Sequence, residues 1–372
     1  MISEALLEIV RCPDCKGTLQ VPGAGSHGVR VPGAEVPGAS VLRCADCGRE
    51  YQSPADFLDL RPREQYVEQT KYLDEALHLD ARHERVSPPL LGSKIRNDML
   101  RAFLAPQPGE LVADLGCGSG RALLWNRDLG ATTVGIDIAP FFSRDARSGI
   151  DLMLADLRKL PFGDHTFDKA WSLDVLEHLS IDALHGMLAE ANRVLKPGGS
   201  LFVYTHVRKN AAVATGLKWI NRFAKTLEHW DLIDLRQEHL RKSDHLNPLR
   251  DIPHLEQVAA ETGFRISRIR YYTPLVGGLV ENIMMRVAER AMARRAAGRI
   301  AATGGSAEDA DAAAVREART SAKERIASSP TTYGALRALS FAMKLDLVLF
   351  GRITSGPFFA LLTKDAGSGV KD

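Results

Sequence analysis

From Glu110 onward, short apolar runs alternate with amphipathic stretches, the pattern of a parallel sheet covered by helices. Leu111–Leu115, Thr132–Ile138, Leu152–Leu154, Phe167–Leu173 and Ser200–Thr205 read as five strands. The helix before the fifth is the clearest in the chain. Ile181, Leu184, Met187, Leu188, Ala191, Val194 and Leu195 form one apolar stripe, Ser180 is a suitable N-cap, and Lys196-Pro197-Gly198-Gly199 ends the run. Phe264–Ile269 predicts a sixth strand and Gly356–Lys364 a seventh, with an amphipathic helix over Pro253–Gly263. The expected class is α/β, a doubly wound seven-stranded sheet.

Flanking segments follow other patterns. Residues from Arg61 to about Gln107 read as helical, with Tyr66, Tyr72, Leu73, Ala76 and Leu77 among charges and a break at Ser87-Pro88-Pro89. They suggest a helical cap or a linker over 61–107. A long insertion separates the last two strands, over 276–355. Glu281–Ala302 should be helical, whereas Gly304–Thr332 has the composition of a disordered segment. Tyr333–Phe350 predicts a dense apolar helix in which Arg337, Lys344 and Asp346 argue against a membrane span. Such a helix can lie on a membrane surface, with Arg286, Arg290, Arg294 and Arg295 nearby in sequence. It can equally pack on the sheet or on a second subunit. The expected division is 1–60, a cysteine-bearing ribbon; 61–107; a core over 108–275; the insertion; and 356–372, the last strand and tail.

Composition narrows the function. The chain has 372 residues and a net charge of +2, too balanced for a strong nucleic-acid footprint. Met1-Ile2-Ser3-Glu4 opens an amphipathic helix rather than a signal peptide, and no run is apolar enough to span a bilayer. The expected location is cytoplasmic, with peripheral attachment to the inner face of a membrane as the alternative. Four of the five cysteines form the pairs Cys12-Pro13-Asp14-Cys15 and Cys44-Ala45-Asp46-Cys47. In a reducing compartment this spacing reads as a closed four-cysteine zinc site rather than disulfides or two redox dithiols. Such a site is structural, because it leaves the metal no open position. Between the pairs, Val21-Pro22-Gly23-Ala24 recurs as Val31-Pro32-Gly33-Ala34 and Val36-Pro37-Gly38-Ala39, an expanded surface loop.

The chemistry centres on the turn that follows the first core strand. Asp114-Leu115-Gly116-Cys117-Gly118-Ser119-Gly120 leads into the helix-favouring Arg121–Trp125. Glycines there accept positive φ and let a ligand touch the backbone, and the helix start offers N–H groups. A dinucleotide fingerprint needs its third glycine where this chain has Arg121, and no phosphate-loop motif is present. Asp137 ends the second strand, where a carboxylate can accept both ribose hydroxyls, and Asp156 follows the third.

These motifs, in this order, resemble the class I S-adenosylmethionine-dependent methyltransferases, which have a Rossmann-like sheet. The resemblance implies that Asp114, Gly116, Cys117, Gly118 and Gly120 meet the methionine end of the methyl donor. It places Asp137 and Ile138 at the ribose and Asp156 and Leu157 at the adenine. Phe167-Asp168 through Leu173 and Asp174 match the fourth-strand motif, and Arg193 through Gly199 the approach to strand five. Leu6–Val10, the two cysteine pairs, Tyr51 and Asp56-Phe57-Leu58 resemble the small zinc-ribbon protein that partners tRNA and rRNA methyltransferases. That likeness implies a scaffold or substrate-contacting element fused ahead of the catalytic core.

Methyl transfer from a sulfonium needs alignment above all, and a base when the acceptor is a hydroxyl. Asp174, Glu177 and His178 are similar to the E-x-x-E-H arrangement of ubiquinone-pathway O-methyltransferases and small-RNA 2′-O-methyltransferases. If the turn is helical the three share one face, and the resemblance implies a divalent cation. The departure is Asp174 in place of the first Glu, and many class I enzymes carry Leu-Glu-His here as local architecture. His178, His206 and His245 are the candidate catalytic residues, each also readable as a hydrogen-bonded structural histidine. Asn210–Asp251 is expected to set acceptor specificity. The expected activity is methylation of a small-molecule or lipid-linked acceptor at oxygen. Alternatives are an rRNA or tRNA methyltransferase that uses the ribbon for RNA or partner contact, and a non-catalytic scaffold.

Overall fold

The computed structural model describes residues 2–21, 40–62, 86–208, 214–235, 245–301 and 329–365. The chain opens with a helix over Glu4–Ile9, whose cap Ser3 accepts the Leu6 N–H at 3.0 Å through its hydroxyl. Strands β1 (Leu19–Gln20), β2 (Ser40–Cys44) and β3 (Glu50–Ser53) then form a small antiparallel sheet. β4 (Leu58–Asp59) leaves that unit and joins the large sheet. The core strands are β5 (Leu111–Leu115), β6 (Thr132–Asp137), β7 (Asp151–Leu154), β8 (Phe167–Leu173), β9 (Leu195–His206), β10 (Phe264–Tyr271) and β11 (Pro357–Lys364).

Their order is β10-β11-β9-β8-β5-β6-β7-β4, with β11 antiparallel to both neighbours. The strand sequence reverses between β5 and β8, and such a switch point opens a crevice beyond the carboxyl ends of the strands. The sheet therefore has eight strands, one more than expected. Leu58 stands opposite Met153 and Asp59 opposite Leu154, so the ribbon segment caps an edge that would otherwise expose bare peptide groups.

The ribbon is also tied to the core by side chains. Ser3 donates through its N–H and hydroxyl to Asp151, at 2.9 and 2.6 Å, and Lys16 donates to the Leu160 carbonyl at 2.9 Å. Leu6, Val10 and Leu42 belong to the same apolar cluster as Leu115, Ile136 and Leu184.

Strand alternation divides the core into two faces. Ala113, Leu115, Leu201 and Val203 pack under Ile181–Val194 and Ile252–Glu261, while Val112, Trp171, Phe202 and Phe359 face the helix Leu91–Leu104. Ser180 caps the first of these helices as expected, accepting the Ala183 N–H at 3.3 Å. β9 begins earlier than expected: Leu195 pairs with Phe167 and Ser200 with Lys169, so Lys196–Gly199 bulges out between them. A Cβ on Gly199 would stand 2.8 Å from the Lys196 carbonyl oxygen and 2.9 Å from that of Asp168.

The insertion helix starts before Glu281, running from Leu275 through a π-helical stretch at Leu279–Met284 to Ala301. Of the segment expected to be disordered, residues 304–328 lie outside the described residues, whereas Pro330–Thr332 open a helix capped by Ser329. The expected apolar helix is two, Pro330–Met343 and Leu345–Phe350. Leu336, Met343 and Leu347 are buried, the last two in the cluster that holds Ile95 and Phe359. Pro330–Met343 packs on the helix Leu91–Leu104, where the Ser340 hydroxyl accepts the Leu91 N–H at 2.7 Å, and Leu345–Phe350 lies against β10. No described helix is long and apolar enough to cross a membrane. The repeats at 22–39 and the expected helical positions Tyr66, Tyr72, Leu73, Ala76 and Leu77 lie outside the described residues.

Candidate active site

The turn after β5 is held from beneath. The N–H groups of Gly116 and Cys117 both donate to the Ile136 carbonyl, at 2.8 and 3.0 Å. Gly116 has φ +84°, and a Cβ there would lie 2.4 Å from a Val175 methyl. Gly120 has φ +78°, with Ala146 2.7 Å from where its Cβ would stand, and precedes the helix Arg121–Trp125. Asp137 completes the frame. Its carboxylate accepts the Gly118 N–H at 2.8 Å and the Ala139 N–H at 3.0 Å. An ionised carboxylate has about four acceptor positions, so two remain for a ligand's hydroxyls.

A cavity of about 360 Å³ opens here. Eight of the ten residues expected to hold the cofactor line it: Gly116, Cys117, Gly118, Asp137, Ile138, Asp156, Leu157 and Leu173. Asp114 and Gly120 do not. Asp114 is 2% exposed, and burial raises its pKa to about 8. Gly120 shapes the turn instead of touching the cavity. Burial likewise pushes the Cys117 thiol up, which suits a packed residue rather than a nucleophile. Asp156 is fixed by Arg158, whose guanidinium donates to it at 2.8 and 3.0 Å.

The three candidate histidines converge, although they lie far apart in the sequence. The rings of His178 and His245 meet edge to face with centroids 4.6 Å apart, and those of His206 and His245 lie 5.4 Å apart. His178 lines the cavity. Glu177 is buried beside them and accepts the Thr205 hydroxyl at 2.8 Å; burial, then Asp174, lifts it to about 7. The ligand atoms of Glu177, His178 and His245 all lie within 4.8 Å of one another.

This is not the set expected to hold a divalent cation. Asp174 adopts φ +56° at the end of β8, and Leu176–His178 is a single 3-10 turn, so Asp174 does not share a helix face with Glu177 and His178. Its carboxylate pairs with Arg96 at 3.4 Å. His245 occupies the place that sequence spacing gave to Asp174.

Residues 113–203 match the protein family described as a methyltransferase domain. This segment runs from β5 into β9 and is similar to a methyltransferase domain. The chain is 36% identical over 139 residues to a Mus musculus protein described as a probable tRNA methyltransferase 9B, covering 35% of this chain and 31% of that one. It is 26% identical over 210 residues to the 27-O-demethylrifamycin SV methyltransferase of Amycolatopsis mediterranei, covering 53% of this chain and 72% of that one. Among solved structures, the [4+2]-cyclase SpnF aligns with 82% of this chain and 98% of its own, at 17% identity and a TM-score of 0.46. The chain thus spans about a third of the length of the first of these relatives.

The cavity has the size of a small-molecule site, with the Asp137 carboxylate on its lining and Ile138 and Leu157 as apolar walls. Sequence reasoning missed Phe141, Arg158, Val175, Leu179, Ala183 and Met187, which also line it. Of these, Met187 was assigned only to the buried stripe of its helix. A second polar group was not anticipated either: Arg96 stands beside Asp174 with its guanidinium carbon 5.5 Å from the centre of the Tyr204 ring. Helix Leu91–Leu104 and β9 are distant in sequence, and no spacing motif joins them.

The four ribbon cysteines also come together. Cys12 and Cys47 sulfurs lie 3.8 Å apart, those of Cys15 and Cys44 3.4 Å, and all four fall within 4.8 Å of one another. A tetrahedral zinc with Zn–S bonds of about 2.3 Å needs sulfurs about 3.8 Å apart, so the set fits that ion. Tyr51 reaches the Cys12 sulfur at 3.1 Å, and Arg49 pairs with Asp14 between the first two cysteines.

Proposed function

We propose that this chain is an S-adenosylmethionine-dependent methyltransferase that acts at oxygen on a small-molecule or lipid-linked acceptor. The observation that carries this reading is the His178–His245 pair beside Glu177 at the wall of the donor cavity. A hydroxyl nucleophile must shed a proton as it attacks, and an imidazole titrates near neutrality.

In this reading Gly116, Cys117 and Gly118 hold the donor's methionine end, Asp137 takes its ribose hydroxyls, and Ile138 and Leu157 flank its adenine. Bound there, the donor would supply an activated sulfonium methyl group, whose carbon–sulfur electron pair would stay with sulfur as the acceptor oxygen bonds the carbon. His178 takes the hydroxyl proton, and His245 and Glu177 share the resulting charge. Arg96, midway along the helix Leu91–Leu104, and Tyr204, near the end of β9, orient the acceptor. Zinc at Cys12, Cys15, Cys44 and Cys47 fixes the ribbon and takes no part in the transfer.

RNA is the second reading, favoured by the relative described as a tRNA methyltransferase and by the ribbon. Incubating the full chain with labelled donor and separate lipid, small-metabolite and RNA fractions decides between them. Label is expected in lipid or small metabolites, and label confined to RNA overturns the proposal. The His178→Ala variant should abolish most of the incorporation while still binding donor.

A further inference from the structure

The helix Ala214–His229 lies in sequence between His206, at the end of β9, and His245, whose rings stand 5.4 Å apart. Its inner side is apolar: Ala224 and Leu227 are buried, and Leu217 lies over Gly278. Its outer side is not uniformly polar, as that of a solvated helix would be. Trp219, Phe223 and Trp230, spaced four and seven residues apart, are 67%, 52% and 62% exposed. Lys218, Arg222 and Lys225 form an exposed stripe alongside, and no acidic residue occurs between Ala214 and Leu227. Asp231, just beyond, is engaged by Arg290 and Arg294 at 2.7 and 2.8 Å.

A second apolar surface adjoins the same support. Asp346 accepts the N–H groups of Val276 and Gly277, at 2.9 and 2.8 Å, which ties the helix Leu345–Phe350 to the short helix Leu275–Gly278. Among the described residues, Leu345, Val348 and Leu349 remain 50%, 71% and 60% exposed. Exposed apolar area of this extent marks a contact surface rather than ordinary solvent.

We infer that this face rests on the surface of a bilayer containing anionic lipid. Indole rings combine an apolar body with a polar N–H and settle at the headgroup layer. Lysine and arginine beside them meet lipid phosphates while their stems lie along the apolar zone. RNA would use the same cations and aromatics but offers nothing to Leu345, Val348 and Leu349. A second copy of the chain would set one basic stripe against another. The bilayer satisfies all three features together. Since His206 and His245, the described residues on either side of this helix in sequence, meet at the histidine cluster, a lipid-linked acceptor would be drawn from the surface the helix rests on. That last step rests on the proposed acceptor class, whereas the binding does not.

Co-sedimentation of the full chain with vesicles tests the contact without donor or acceptor. Binding is expected to vesicles of mixed phosphatidylglycerol and phosphatidylcholine and to be much weaker to phosphatidylcholine alone. Reversing the stripe in Lys218→Glu/Arg222→Glu/Lys225→Glu should lower partitioning at least about tenfold, since each cation near an anionic surface contributes to attraction. Trp219→Ala/Trp230→Ala should weaken it as well, with donor affinity unchanged in both variants. In the unmodified chain, tryptophan emission should shift to the blue on adding anionic vesicles. No sedimentation with anionic vesicles, unchanged emission, or equal binding by folded variants overturns the inference. So does binding to tRNA, but not to vesicles, that the charge reversal removes. A negative methyl-transfer assay on lipid, with vesicle binding intact, would count against the acceptor class only.

Discussion

The carboxylate of Asp137 accepts the N–H of Gly118 at 2.8 Å, so the residue expected to bind ribose also sets the shape of the glycine turn. Both residues line the cavity, so one side chain couples its lining to the glycine turn. Asp137→Ala should weaken donor binding by roughly 10- to 100-fold, the loss of charge-assisted hydrogen bonds. Asp137→Asn should fall between the two. Titration calorimetry with the donor product measures this, and unchanged affinity in Asp137→Ala would remove the ribose assignment.

Gly116 is constrained twice, by φ +84° and by the Val175 methyl 2.4 Å from a would-be Cβ. Gly116→Ala should cost at least about 1–2 kcal/mol in unfolding free energy and displace β8 from the cavity wall. Urea denaturation and donor titration should change together. Gly118, with φ +51° and nothing within 4 Å of its would-be Cβ, should tolerate alanine better in stability than in donor binding.

Asp114 gives the apo protein a pH signature. Burial raises its pKa from 3.8 to about 8. The folded state therefore holds a proton that the unfolded chain releases near pH 4, so this contribution is complete below that pH and is lost as pH climbs through about 8. Unfolding free energy should drop by at least about 2 kcal/mol between pH 6 and pH 9, and Asp114→Asn should flatten that dependence. Parallel pH profiles for the two proteins would contradict the assignment.

Zinc should bind at one equivalent per chain, and Cys44→Ser should bind none. Because Leu6, Val10 and Leu42 share the apolar cluster of the sheet, and β4 caps its edge, stripping the metal should lower the melting temperature of the whole core. Calorimetry should show the principal transition shifting as a unit, since ligand binding to the native state stabilises everything coupled to it. A ribbon that melts separately, leaving the core transition unchanged, would argue for an independent module.

His245→Ala should lower kcat by about 10-fold or more while leaving donor affinity intact, the signature of a lost partner to the proton-accepting His178. His178→Ala should do the same with some loss of donor binding, because His178 lines the cavity. Activity retained after exhaustive chelation would assign the cluster a proton role rather than a bound cation.

Some of this was legible in one dimension. Strand order along the chain, the helix capped by Ser180, the glycine turn and Asp137 are local, because periodicity, caps and turn glycines report the conformation of a few neighbouring residues. The same locality made the cysteine pairs readable. It failed at Asp174: helical spacing places it with Glu177 and His178, but the chain turns at φ +56° and hands the carboxylate to Arg96.

The sequence by itself determined an α/β core, its glycine turn and a pair of cysteine knuckles, all carried by short-range patterns. Only the tertiary structure decided that β4 completes the large sheet, that His178, His206 and His245 meet, and that Trp219, Phe223 and Trp230 face outward. Those relationships join residues brought near only by strand pairing and helix packing. Their physical cause is the burial of one shared core, and no spacing rule along the chain encodes it.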